Sequence, residues 1–274
     1  MGKKPYKLVS REHKREDSII KINNTKIGDK EITIIAGPCS VENEEQLTKI
    51  ADFLEKNNIP ILRASLYKPR TSPYDFQGLG ESGLDLLKKI KEKNNLLIET
   101  EVMDPRELKK VLEVADIIRV GSRNMQNFPL LKELGKIDKP IILKRGMNAT
   151  VEEFLGAAEY IAKEGNHNII LCERGIRTFE QGTRNSLDLN AIPLLKELSH
   201  LPVIVDPSHG TGKKSLVIPM SKAAIAAGAD GLMIEVHPEP EKSISDSDQT
   251  LSFEMFEKLI SELKPLANAI KRIL

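Results

Sequence analysis

The sequence predicts an α/β chain folded as a (β/α)8 barrel, and three observations carry that expectation. From Glu31 onward, short β-branched runs alternate with amphipathic stretches. The runs are nearly continuous Ile, Leu and Val, the pattern of parallel strands covered on both faces by crossover helices. Eight such units fill roughly 240 residues, the usual length for this barrel. A doubly wound open sheet is the structural alternative.

Residues 1–30 lie outside the repeat and form an N-terminal extension. Within it and just beyond, "SIIKINNTKIGDKEI" has a polar centre between apolar flanks and reads as a small hairpin closing the barrel's bottom. The barrel itself takes residues 31–274. Its strands are "ITIIAG" (32–37), "PILRAS" (60–65), "NLLIET" (95–100), "DIIRVG" (116–121), "PIILKR" (140–145), "NIILCER" (168–174), "PVIVDP" (202–207) and "GLMIEV" (231–236). Between them, "EEQLTKIADFLEKN", "SGLDLLKKIKEKN", "PRELKKVLEVA", "TVEEFLGAAEYIAKEG" and "LVIPMSKAAIAAGA" place apolar residues three or four apart, as helices do. "FEMFEKLISELKPLANAIKRIL" closes the chain in the same way. Neither a low-complexity linker nor room for a separate regulatory domain is expected in the 274 residues.

Forty-one basic against forty acidic residues leave a formal charge of +1, so no global field favours nucleic acid or an anionic membrane, and any anion preference must be local. No apolar run approaches the roughly 20 residues of a membrane span, and the opening "MGKKPYKLVSREHKRED" is too polar for a signal peptide. A cytoplasmic protein is expected. Its two cysteines, Cys39 and Cys172, are expected as reduced thiols. High Lys and Glu with no Trp is compatible with a thermophilic source.

Chemistry in such a barrel sits where strands run out into the following loops. The eight exits carry Cys39, Arg63, Glu101, Arg123, Lys144, Arg174, His209 and Glu235. One charged side chain at a strand end usually reaches solvent or a neighbouring carboxylate. As a set, Arg63, Lys68, Arg123, Lys144 and Arg174 would converge on one mouth and repel unless something negative sits among them. A phosphate or carboxylate site follows, since Arg offers a bidentate fork and Lys a point charge. Cys39, His209, Glu235 and Asp246 of "SISDSD" form a second set, brought to one side because the first and eighth strands of a closed barrel are neighbours. That sulfur, nitrogen and oxygen mixture suits a divalent Mn, Fe, Co, Zn or Cu ion without choosing among them.

Three features compete. "HGTGKKS" resembles a phosphate-binding P-loop but lacks the first glycine, and is expected as a Gly-rich loop leading into a helix. Lys144 could instead be a Schiff-base lysine, although no general base stands in the same run. Cys172, two residues before Arg174 on the same strand face, is expected as a packed core thiol.

"AGPCSVE", "LRASLYKPRTSPYDFQGLG", "VGSRNMQN", "LKRGM", "CERGIRTFE", "DPSHGTG" and "IEVHPEP" together resemble the motifs of the short β-type 3-deoxy-D-arabino-heptulosonate-7-phosphate (DAHP) synthases. That group is itself similar to the 3-deoxy-D-manno-octulosonate-8-phosphate (KDO8P) synthases. The resemblance covers nearly the whole chain. It implies a (β/α)8 enzyme that condenses phosphoenolpyruvate with erythrose 4-phosphate and releases phosphate, the entry step of the shikimate pathway.

By the same resemblance, Cys39, His209, Glu235 and Asp246 are the divalent-metal ligands. Arg63, Arg123, Lys144 and Arg174 form the phosphoenolpyruvate site, with Arg123 and Arg174 on the phosphate and Lys144 on the carboxylate. Lys68 stands between the two substrates, Arg70 and Thr71 hold the aldose phosphate, and Glu101 lies near the reacting water. "KPRTS" replaces the "KANRS"-like run of KDO8P synthases, which favours the four-carbon aldose over arabinose 5-phosphate. Lys68, Glu101, Lys144 and His209 are the implied catalytic groups, and a homodimer or homotetramer is the implied assembly. KDO8P synthase, a Schiff-base aldolase and a non-catalytic phosphometabolite-binding barrel are the competing readings.

Overall fold

The computed structural model describes residues 4–274. An antiparallel hairpin, β1 (Ile20–Ile22) and β2 (Thr25–Ile27), precedes eight strands: β3 (Thr33–Gly37), β4 (Ile61–Arg63), β5 (Leu97–Glu101), β6 (Ile117–Val120), β7 (Ile141–Lys144), β8 (Ile169–Glu173), β9 (Val203–Val205) and β10 (Gly231–Glu235). These eight pair in parallel, each with its sequence neighbour. The ring closes where β10 lies against β3, with Gly231 beside Thr33 and Glu235 beside Gly37. That pairing excludes the open sheet, and all eight sequence runs supply strands.

Period-two alternation layers the interior. Ile35, Ile61, Leu97, Ile117, Ile142, Ile170, Ile204 and Met233 form a lower apolar layer. Two residues further along, seven of the eight strands carry a buried charge or thiol at the inward position, Arg63, Glu99, Arg119, Lys144, Cys172, Asp206 and Glu235, and β3 carries Gly37. The apolar layer also contains Ile20, Ile22 and Ile27 of the hairpin, so the extension plugs the N-terminal end of the barrel. Its approach is fixed from outside, where the Glu159 carboxylate accepts the Leu8 and Val9 N–H groups at 3.0 and 3.2 Å.

The periodic stretches become α1 (Glu44–Lys56), α2 (Leu84–Lys93), α3 (Pro105–Val111), α5 (Val151–Lys163), α8 (Lys214–Ala226) and α9 (Phe253–Ala269). Local sequence starts several of them: Asn43 and Asp104 cap α1 and α3, and Thr150 with Glu153 closes a capping box on α5. Phe53 of α1 stacks on Phe253 of α9 at 3.9 Å, sealing the outer ring where the first and last helices meet. Two crossover helices, α4 (Phe128–Leu134) and α6 (Ala191–Leu198), are too short for periodicity to mark clearly, and a one-turn helix, α7 (Pro207–Thr211), follows β9. "HGTGKKS" runs from α7 through Gly212 into α8, rather than opening from a strand as a P-loop does.

Candidate active site and metal centre

Cys39, His209, Glu235 and Asp246 meet at the C-terminal mouth, one ligand atom from each lying within 4.8 Å of the others. Asp206 sets the histidine. It caps α7, accepting the His209 backbone N–H at Oδ1 (2.9 Å), while Oδ2 lies 2.8 Å from Nδ1. With Nδ1–H donated to this carboxylate, the lone pair of Nε2 faces the cluster, 3.3 Å from Glu235 Oε1 and 3.7 Å from Asp246 Oδ2. Burial chiefly pushes His209 down to about 4, against the pull of Asp206 and Glu235, so the ring is neutral near pH 7.

A lone pair facing two carboxylates is repulsive unless a cation lies between them, and the other donors say the same. Burial, then the Glu235 charge, pushes the Cys39 thiol up to about 12, although Lys68 opposes them. Burial works to raise Glu235 and Asp246 as well, but His209, protonated in the acid range where they titrate, and then Arg63 for the former and Lys68 for the latter hold both below their ordinary values. Two ionised carboxylates, a neutral imidazole and a thiol therefore crowd one buried point, a donor set that fits a borderline divalent ion. Lys68 compensates in part, with Nζ at 2.6 Å from Cys39 Sγ and 3.6 Å from Asp246.

The adjoining cavity is lined by Lys68, Arg70, Arg123, Lys144, Arg174 and Arg184, with Thr71, Asp75 and Glu101 among them. Most of these cations have a carboxylate within reach. Lys144 is ion-paired with buried Asp206, Arg70 lies 3.5 Å from Asp75, and Arg184 lies 3.0 Å from Asp246. Arg123 and Arg174 do not: among the described residues, Arg123 touches only the Pro69 carbonyl and Thr71 Oγ1 at 3.4 Å, and Arg174 only the Gly175 carbonyl at 3.3 Å. Arg174 is nonetheless 4% exposed, and burial lowers its pKa. A buried guanidinium without a counterion is a site shaped for an anion.

Arg63 lies elsewhere. It is sealed beneath the quartet, its Nη2 3.0 Å from Glu235 Oε1, and does not line the cavity. Glu101 reaches the wall, held by Arg119 at 3.2 Å, and packs so closely on Gly121 that a Cβ there would collide with its carboxylate. Arg119, Glu99, Asp206, Arg184 and Gln249 belong to this network without standing in the sequence-derived set. For Arg119 and Glu99 a signal existed: each is a charge at an inward position of a strand, two residues after an apolar one. Cys172 is buried in the interior and does not join the quartet; both cysteines are free.

The family model described as "DAHP synthetase I family" matches residues 13–272. The chain belongs to that family. It is 56% identical over 267 residues to a phospho-2-dehydro-3-deoxyheptonate aldolase of Thermotoga maritima, covering 97% of this chain and 79% of that protein. The crystal structure of a DAHP synthase from the same organism superposes with a TM-score of 0.96 at 55% identity, over 99% of this chain and 79% of that one. A truncated form of the Thermotoga maritima enzyme gives 0.92 at 50% identity, over 98% of this chain and 99% of that one. A 2-dehydro-3-deoxyphosphooctonate aldolase of Geobacter sulfurreducens is more distant, 30% identical over 92% of this chain and 98% of that protein. As a DAHP synthetase I family member, the chain carries its quartet, with Arg123 and Arg174 beside it, at the barrel face where catalysis occurs in this fold.

Proposed function

We propose that this protein condenses phosphoenolpyruvate with D-erythrose 4-phosphate and water to give 3-deoxy-D-arabino-heptulosonate 7-phosphate and phosphate, the first step of the shikimate pathway. The observation that carries the site reading is the pairing of a metal-capable quartet with Arg123 and Arg174, cavity cations lacking a carboxylate among the described residues. These two hold the phosphate of phosphoenolpyruvate, and Lys144, steadied by Asp206, faces its carboxylate. Arg70 and Thr71, across the same cavity, bind the aldose phosphate. Lys68 lies between the two, beside Cys39.

In the reaction, C3 of phosphoenolpyruvate attacks the aldehyde carbon, water adds at C2, and the C–O bond to phosphate breaks. Cys39, His209, Glu235 and Asp246 would hold a divalent ion, which supplies Lewis-acid polarisation of a carbonyl oxygen when bound. The protein's own part is positional and electrostatic. Arg123 and Arg174 fix one reactant and take up charge as phosphate departs, while Arg70 and Thr71 fix the other. Glu101, kept at the wall by Arg119, stands ready to accept a hydrogen bond from the attacking water. Arg63, below, keeps Glu235 ionised and turned toward the quartet.

Lys144 is a poor candidate for a Schiff base, because its amine is engaged by Asp206. A homodimeric or homotetrameric, cytoplasmic enzyme belongs to the same reading. Phe128 and Tyr160, stacked at 4.4 Å on the surface of α4 and α5 and each more than a third exposed, support self-association. Among the described residues, no helix is long and apolar enough to cross a membrane. The test is phosphate release from phosphoenolpyruvate with erythrose 4-phosphate or arabinose 5-phosphate, with and without chelator. Chelator-sensitive release with the four-carbon sugar is expected; faster turnover of arabinose 5-phosphate would overturn the substrate assignment.

A further inference from the structure

Arg184 lies in the long connection between β8 and α6. Its Nη1 donates to Asp246 Oδ1 and to Gln249 Oε1, each at 3.0 Å. Gln249, itself buried, passes the contact on: its Nε2 donates to Glu235 Oε2 at 2.7 Å. These are the outer oxygens of the two acids. Asp246 presents its other oxygen, Oδ2, to Cys39 at 3.0 Å and to His209, and Glu235 presents Oε1 to His209. A single guanidinium therefore orients one carboxylate directly and a second through an amide.

The surroundings hold Arg184 in this pose. Its backbone N–H donates to the Thr211 carbonyl at 3.0 Å, and its stem packs on the turn at Gly212, where φ is 68° and an added Cβ would collide with the Arg184 Cβ. Asp246 has a left-handed backbone, φ 54°, in an irregular loop, and Arg184 is the partner of its Oδ1. Arginine suits the task because it presents several donors in a fixed plane, where lysine offers one mobile ammonium.

We propose that Arg184 is a positioning residue for the metal centre. Together with Gln249 it pins the outer oxygens of Asp246 and Glu235, so that their inner oxygens converge with Cys39 Sγ and His209 Nε2. The inference rests on the reading of the quartet as a divalent-ion site, and goes beyond it by assigning the outer oxygens of both acids to Arg184 and Gln249, while Arg63 and Lys68 contact the inner oxygens of Glu235 and Asp246.

Titration with Co2+, followed through the thiolate-to-Co2+ charge-transfer absorption, separates the two. Wild type is expected to develop the band and Cys39→Ala to lose it. Arg184→Ala and Gln249→Leu should each weaken Co2+ affinity about 10–100-fold, the usual cost of losing a partner of a metal ligand. Arg184→Lys, which keeps the charge and serves as the variant least disturbing to folding, should fall between. If Arg184→Ala, Arg184→Lys and Gln249→Leu bind Co2+ with wild-type affinity and spectrum while Cys39→Ala loses the band, the positioning role is wrong and the metal reading stands. If wild type shows no band, or Cys39→Ala retains it, the metal reading fails and takes this inference with it.

Discussion

Arg70 and Arg174 are both cavity arginines, yet their surroundings differ. Among the described residues Arg174, buried, hydrogen-bonds only a backbone carbonyl, whereas Arg70 is tied loosely to Asp75 at 3.5 Å on a more open wall. Arg70→Ala should therefore raise KM for the aldose phosphate by at least about tenfold, the order expected for losing a charge-assisted hydrogen bond of 1.5–3 kcal/mol, with little change for phosphoenolpyruvate. Equal effects on both KM values in steady-state kinetics would contradict the assignment. At the far end of the barrel, His200 is the residue to watch with pH. Its Nδ1 lies 2.8 Å from Ser18 Oγ, which Lys14 also contacts, and its Nε2 lies 2.8 Å from the Leu8 carbonyl. Burial first, then nearby Lys14, Arg11 and His13, lower its pKa below the ordinary 6.5. The unfolded chain therefore takes up the proton before the folded one does. Stability from this group is complete above about pH 6.5 and declines as pH falls below it. Protection of the Leu8 and Ser18 amides, measured as exchange relative to the intrinsic rate at each pH, should fall on acidification, and His200→Gln should flatten that dependence.

At the scale of elements, strand exits were legible and loops were not. Cys39, Glu101, Lys144, Arg174 and Glu235 could be placed because a strand of known period ends beside them, and the closing pair β10 and β3 then brings the first and last exits together. Arg184 could not be placed, because the loop after β8 has no period. Its course is set by distant partners such as the Thr211 and His209 carbonyls, which accept from Arg184 and Asn185. Asp206 was visible as the acid of "DPSHGTG", but its role depends on α7 forming beneath His209. Arg63 marks the opposite failure: its strand position was clear, yet whether it would face the cavity or Glu235 rested on packing that no spacing encodes. The hairpin offers a direct test of the division between barrel ends. Ile27→Ala removes a fully buried side chain from the plug and should cost about 2–5 kcal/mol in chemical denaturation. Substrate KM values should be nearly unchanged, since the site lies at the other face.

For the whole molecule, a divalent ion that binds only the folded state links the site to global stability. Adding Mn2+ at about 100 times its dissociation constant should stabilise the fold by about 2.7 kcal/mol, seen as a rise in thermal midpoint that chelator reverses and Cys39→Ala abolishes. An unchanged midpoint in wild type would count against the quartet as a metal site.

The layered interior has a further consequence. Below the buried charges of β4 to β10 lie eight apolar side chains and the three isoleucines of the hairpin, an apolar floor. Field lines from the cavity cations are poorly supported in that floor and spread preferentially through the open mouth into solvent. Six cations line the cavity against three carboxylates, Asp75, Glu101 and Asp246, so a chain of net charge +1 presents an excess of positive charge at this mouth. Capture of doubly charged phosphate esters should accordingly be quick at low salt, and kcat/KM should fall as ionic strength rises while kcat changes little.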